Sequence, residues 1–171
     1  MNMKNHENTE NQDIYMTSKE ELLNGKITFE ELRDKLVVLD QLTDSRTAAI
    51  DNLKFLYDQE IIDYVKFNIE VFRGYKALLS FTEFHVGQIF ARIDKEDALD
   101  HFRSALENAQ DGSWAAYIEG TILYMEGKII RSTIISKARV LSKRNADILT
   151  NFNLGLAERG HPSYSEDYSK I

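Results

Sequence analysis

A single proline, Pro162, stands nine residues from the end of this 171-residue chain, and only eight glycines are spread through it. Proline and glycine are the residues that most often end or weaken helices, so a chain with so few of them is free to be helical nearly throughout. No segment shows sustained period-two alternation of apolar and polar residues. The expectation is therefore an all-α protein without a sheet.

Helix boundaries are marked by capping residues. Thr17 and Ser18, followed by Glu20 and Glu21, predict a short helix that ends near Asn24 and Gly25. Thr28 with Glu31 makes a capping box for a helix over 29–42, whose Phe29, Leu32, Leu36 and Leu39 share one face. A helix over 46–57 places Ile50, Leu53 and Tyr57 on one side. Asp58 caps a helix expected to reach Leu79, and Ser80 with Glu83 predicts a fresh start at Phe81. Asp94 opens a helix ending near Ala109, and further helices are expected at 114–126, 129–143 and 146–159. Residues 1–16 are polar and aperiodic and read as a disordered tail. A single all-helical domain fills 17–160, in two parts (17–79 and 80–160), and 161–171 is an irregular tail.

Composition narrows the function. There is no cysteine, which removes disulfides and thiolate chemistry and suits a reducing compartment. The N-terminus carries no apolar signal segment and no stretch approaches a membrane span, so a soluble cytoplasmic protein without a membrane partner is expected. The net charge of −7 disfavours nucleic acid as a partner. His6, His85, His101 and His161 show no metal-binding spacing, and no phosphate loop or nucleophile elbow is present. The acid pairs Glu20-Glu21 and Glu30-Glu31 lie in first helical turns, where they complement the helix dipole. No cofactor, metal site or catalytic residue is expected, and the chain does not read as an enzyme.

A repeat is visible in the second half. Gly87, Gly120 and Gly155 are spaced 33 and 35 residues apart. At the first offset Phe81 maps to Trp114, Phe84 to Tyr117, Ile89 to Ile122, Phe90 to Leu123, Phe102 to Ile135 and Ala105 to Ala138. At the second, Trp114 maps to Leu149 and Tyr117 to Phe152. A small residue at Gly87 and Gly120 would let two helices approach closely, where a bulky one would hold them apart. With Ala98 and Phe102 in an A-x3-F pattern, residues 80–160 resemble the tetratricopeptide repeat (TPR) family. The inter-helix turn of the first unit is one residue short, and Glu119 and Glu158 stand where that family usually has apolar residues.

The resemblance implies antiparallel helical hairpins stacked as a right-handed superhelix, with the N-terminal helices packed alongside. It further implies a protein-interaction module, an adaptor or small chaperone, holding a peptide or helix in a groove lined by the first helices of the repeats. The residues at groove positions are Phe84, Gln88, Tyr117, Thr121, Tyr124, Phe152, Leu156 and Arg159. The other reading of an aromatic stripe at this spacing is buried packing. A separate alternative is an oligomeric scaffold. Tyr57, Ile61, Tyr64, Asn68, Val71, Tyr75 and Leu78 follow a heptad rhythm that could make a homodimer seam along a 57–78 helix.

Charge is unevenly placed. Residues 127–146 contain Lys128, Arg131, Lys137, Arg139, Lys143 and Arg144 and no acid. On a helix, Lys128, Arg131, Arg139 and Lys143 form one basic stripe opposite Ile130, Ile134, Ala138 and Leu141. The stripe is either a solvated outer face or a docking strip for an acidic partner. If it docks a partner, reversing Arg139 and Lys143 to Glu slows association with little change in stability, and added salt does the same, because exposed charges are screened beyond about 8 Å at physiological ionic strength. Stopped-flow association rates across a salt series measure both effects.

Overall fold

The computed structural model describes residues 3–42 and 45–127. Seven helices and no strand occur among the described residues: α1 (Met3–Leu23), α2 (Phe29–Leu42), α3 (Ser45–Leu56), α4 (Gln59–Val65), α5 (Ile69–Phe90), α6 (Lys95–Glu107) and α7 (Gly112–Met125). The all-helical expectation holds over this range. The helices expected at 129–143 and 146–159 and the tail at 161–171 lie outside the described residues. The chain divides into two compact units, Met1–Val86 and Gly87–Ile171, where a single domain with an internal boundary after residue 79 was expected. The division falls within the last turns of α5.

In the first unit, α1 and α2 each pack against two other helices. α2 packs against α1 and α3, and α1 also meets α4. The capping box forms as expected: the Glu31 amide donates to Thr28 Oγ1 at 3.2 Å, and the Thr28 amide donates to Glu31 Oε1 at 3.3 Å. The predicted face of Phe29, Leu32, Leu36 and Leu39 is buried. On α3 the buried apolar residues are Ala48, Ala49, Leu53 and Leu56, with Asn52 buried among them, whereas Tyr57 is exposed and Ile50 only half-buried, so the expected stripe was rotated. Two small alanines there let α3 lie close to its neighbours. At the end of α1, the Lys26 amide donates to the Glu21 carbonyl at 2.8 Å and the Gly25 amide to the Leu22 carbonyl at 3.0 Å. This is a Schellman closure, and it requires the left-handed backbone that Gly25 adopts, with φ +69°.

Three expectations are corrected. Residues 3–16, read as tail, are helical: α1 begins at Met3. Side chains later in α1 fasten it to the unit, which a search for apolar periodicity passes over. Tyr15 stacks on Phe55 with ring centroids 5.0 Å apart, and its hydroxyl donates to Asn52 Oδ1 at 2.6 Å. Second, no single helix spans 57–78. Asn68, read as a polar heptad residue, caps α5, its Oδ1 accepting from the amides of Glu70 at 3.0 Å and Val71 at 3.3 Å. Ile61, Tyr75 and Leu78 of the supposed dimer seam are buried within their own unit. Third, no helix starts at Phe81. Ser80 is fully buried inside α5, and Glu83 accepts the Tyr57 hydroxyl at 2.8 Å.

In the second unit, α6 is capped by Asp94, whose side chain accepts from the amides of Glu96 and Asp97. Its buried residues are Ala98, Leu99, Phe102 and Ala105. α6 packs on α7, which buries Tyr117, Ile118 and Ile122. A Cβ placed on Gly87 would lie 2.7 Å from Cε1 of Phe102. The helix backbone at Gly87 therefore rests directly on that ring.

Two predictions follow from this packing. Replacing Gly87 by Ala gains about 1 kcal/mol of helix propensity but overpacks the ring contact at a cost of about 1–3 kcal/mol, so a net loss is expected. Denaturant midpoints test this, and Phe102→Leu added to Gly87→Ala should recover part of the loss by making room.

The second concerns the anchor of α1. Lys19 Nζ lies 3.1 Å from Asp58 Oδ2 and 3.3 Å from Glu60 Oε1. Hydrogen bonding to Asp58 raises the Lys19 pKa. Burial pushes the Asp58 carboxyl up, but the hydrogen bonds from Lys19 and from the amides of Glu60 and Ile61 outweigh it, leaving its pKa below the usual carboxylate value of 3.8. A depressed carboxylate stabilises the fold above its unfolded pKa, and that contribution is lost as pH falls through the folded value. A raised lysine pKa contributes below 10.5 and is lost as pH rises through the folded value. Asp58→Asn keeps the cap and removes the charge, so its denaturant midpoint should vary less than the wild type's as pH is lowered from 5 to 2.

Candidate functional site

The α1–α2 hairpin leaves an open cleft of about 410 Å³ between its helices. α1 contributes Asp13, Ile14, Thr17 and Ser18, spaced so that all four fall on one side of the helix; α2 contributes Lys35, Val38 and Leu39. The helices are held at this spacing by contacts on the other side of α1. Asn52 takes the Tyr15 hydroxyl on its Oδ1 and donates from Nδ2 to the Leu36 carbonyl at 3.2 Å, so one buried amide ties α1, α2 and α3 together. Burial, then the negative charges of Asp51 and Asp40, push the Tyr15 hydroxyl pKa well up, which keeps it a neutral donor.

Four of the seven described lining residues are polar, Asp13, Thr17, Ser18 and Lys35, yet most of the surface the cleft presents is apolar. Leu39 is buried, whereas Ile14 is 36% and Val38 49% exposed. Lys35 is engaged by Glu21 at 3.2 Å. Ser18 is buried, and its hydroxyl has no hydrogen-bond partner. An unsatisfied buried hydroxyl typically costs about 1–3 kcal/mol. Chemically the cleft can take up apolar side chains, with the exposed Thr17 and the buried Ser18 supplying hydroxyls in its lining.

The groove residues expected from the sequence are placed as follows. Phe84, Tyr117 and Thr121 are buried, and Gln88 and Tyr124 are half-buried. Tyr117 stacks on Trp114 with centroids 5.5 Å apart, and Thr121 Oγ1 donates to the Tyr117 carbonyl at 3.0 Å, both within α7. Phe152, Leu156 and Arg159 lie outside the described residues, as do Lys128, Arg131, Arg139 and Lys143 of the basic stripe. His85 Nδ1 is 3.3 Å from Asp40 Oδ2, and the His101 ring stacks on Phe90 at 5.5 Å. Tyr75 donates its hydroxyl to the Leu56 carbonyl at 2.9 Å, and its pKa is pushed up to about 12, chiefly by burial.

Sequence reasoning missed the α1–α2 cleft because half of its α1 wall fell in the presumed tail. The available signal was the spacing of Ile14, Ser18 and Leu22, one per helical turn. Among the described residues no helix is long and apolar enough to cross a membrane, and no cluster of His, Asp and Glu is placed to hold a metal ion. No protein-family model, curated protein sequence or solved structure matches this chain.

Proposed function

We propose that this chain is a protein-interaction module, an adaptor or small chaperone and not an enzyme, and that its α1–α2 cleft takes up apolar side chains of a partner protein. The observation that carries the reading is the cleft itself: an open apolar trough of about 410 Å³ with Ile14 and Val38 in its lining left partly in water. Its volume lies within the range of specific binding sites, about 300–1,000 Å³. The cleft carries this reading better than the groove expected from the TPR resemblance, because Phe84 and Tyr117 are buried.

The second unit is read here as TPR-like. Support comes from Gly87 lying against Phe102 and from the A-x3-F face of α6, with Ala98 and Phe102 buried. In that reading the repeats are a scaffold, and the N-terminal hairpin does the binding.

Selection from a displayed library of random peptides tests the proposal. The full chain should enrich sequences with large apolar residues, and Val38→Asp should weaken the selected peptides at least about tenfold while leaving circular dichroism unchanged. Equal binding by Val38→Asp and the wild type would remove the cleft from consideration.

A further inference from the structure

A second feature of the same unit has the opposite shape. At the α4–α5 turn Phe67 is 85% exposed, Ile69 is 72% exposed, and Phe72 one turn on is also exposed. Single exposed apolar residues are ordinary, but three large ones within six positions make a patch of the kind that marks interaction surfaces. The turn has a defined shape. Asn68 caps α5 between the apolar residues, the Lys66 ammonium lies 5.9 Å from the Phe67 ring centroid, and Lys76 lies 5.2 Å from that of Phe72.

We propose that the occupant of the α1–α2 cleft is this Phe67–Phe72 turn of a second copy of the chain, an inference that rests on the cleft being a binding site. Shape is the first argument. The turn projects apolar side chains, and the cleft is an open trough of about 410 Å³ whose surface is mostly apolar. Within one chain the two do not fill each other, since Phe67 and Val38 both remain exposed. Charge is the second argument. The cleft lining carries Asp13 and Lys35, one of each sign. The turn carries Lys66, Glu70, Arg73 and Lys76, a net positive set in which Arg73 lies 3.7 Å from Glu70. Lys66 can face Asp13, since Lys35 of the cleft lining is already engaged by Glu21, and Glu70 by Arg73. The present pairing of Lys66 with Asp63 at 2.7 Å is between side chains half in solvent, so exchanging or sharing it costs little. The two surfaces differ, so the contact is head-to-tail. It closes as a two-fold pair only where both turns enter both clefts, and otherwise propagates.

Sedimentation velocity of the full chain over a concentration series is the test. The wild type should associate as concentration rises. Phe67→Asp, which spoils the turn, and Val38→Asp, which spoils the cleft, should each weaken association at least about tenfold. Both sites are exposed, so both variants should keep wild-type circular dichroism; Ile69→Asp and Ile14→Asp serve as a second pair. Mixing Phe67→Asp with Val38→Asp restores one intact junction, so the mixture should form a one-to-one dimer that neither variant forms alone. A mixture that stays monomeric, or association indifferent to both substitutions, overturns the proposal. A wild type monomeric to millimolar concentration also overturns it. If that monomer still selects apolar peptides through Val38, the cleft reading stands and the partner is a different protein; if it selects none, both fail.

Discussion

The buried side chain of Asn52 is the point on which the first unit depends. Its carbonyl oxygen takes the Tyr15 hydroxyl, and its amide nitrogen gives a hydrogen to the Leu36 carbonyl. α1 has few apolar residues in its first half, so its place cannot come from a broad hydrophobic seam. It comes from this relay, the stacking of Tyr15 on Phe55 and the Lys19–Asp58 pair. Hydrogen bonds fix direction where apolar contacts mainly fix proximity. The width of the α1–α2 cleft is thus set by contacts on the face of α1 turned away from it.

How much of this was legible in the sequence depended on whether a signal was local. The Thr28–Glu31 capping box and the Asp58 and Asp94 caps involve residues within a turn of one another, and each formed as read. The α2 stripe was equally clear because four large apolar residues repeat at helical spacing. Ser80 and Asn68 were misread for one shared reason. Both residue types favour caps but are also found at polar positions inside a helix, and the tertiary surroundings decide. Ser80 sits in the core, where Glu83 is engaged by Tyr57 instead of turning back to cap a helix. Asn68 sits at a real chain reversal, and the heptad rhythm across it was a coincidence of spacing.

The candidate site was less legible than the fold. Its lining has no signature chemistry, and half of its α1 wall, Asp13 and Ile14, lies in a stretch whose composition looks like tail. The exposed Phe67 and Ile69 looked like ordinary helix residues while 57–78 was read as one helix. Only the break at Asn68 brings them out. The close approach at Gly87 was inferable because glycine recurs at a fixed period. The pattern did not say which side chain meets it; the structure puts the Phe102 ring there, and the 2.7 Å separation shows that a side chain larger than hydrogen has no room without a shift.

Gly25 presents the opposite case. Nothing lies within 4 Å of where its Cβ would be, so space places no limit on that position. The limit is handedness alone, since a φ of +69° disfavours side chains of natural configuration. A D-alanine, whose mirror geometry prefers that region, would fit the turn without displacing any neighbour. It would also leave the unfolded chain fewer conformations to lose. The turn between α1 and α2 is thus a place where chemical synthesis can tighten the hairpin in a way the genetic code does not allow.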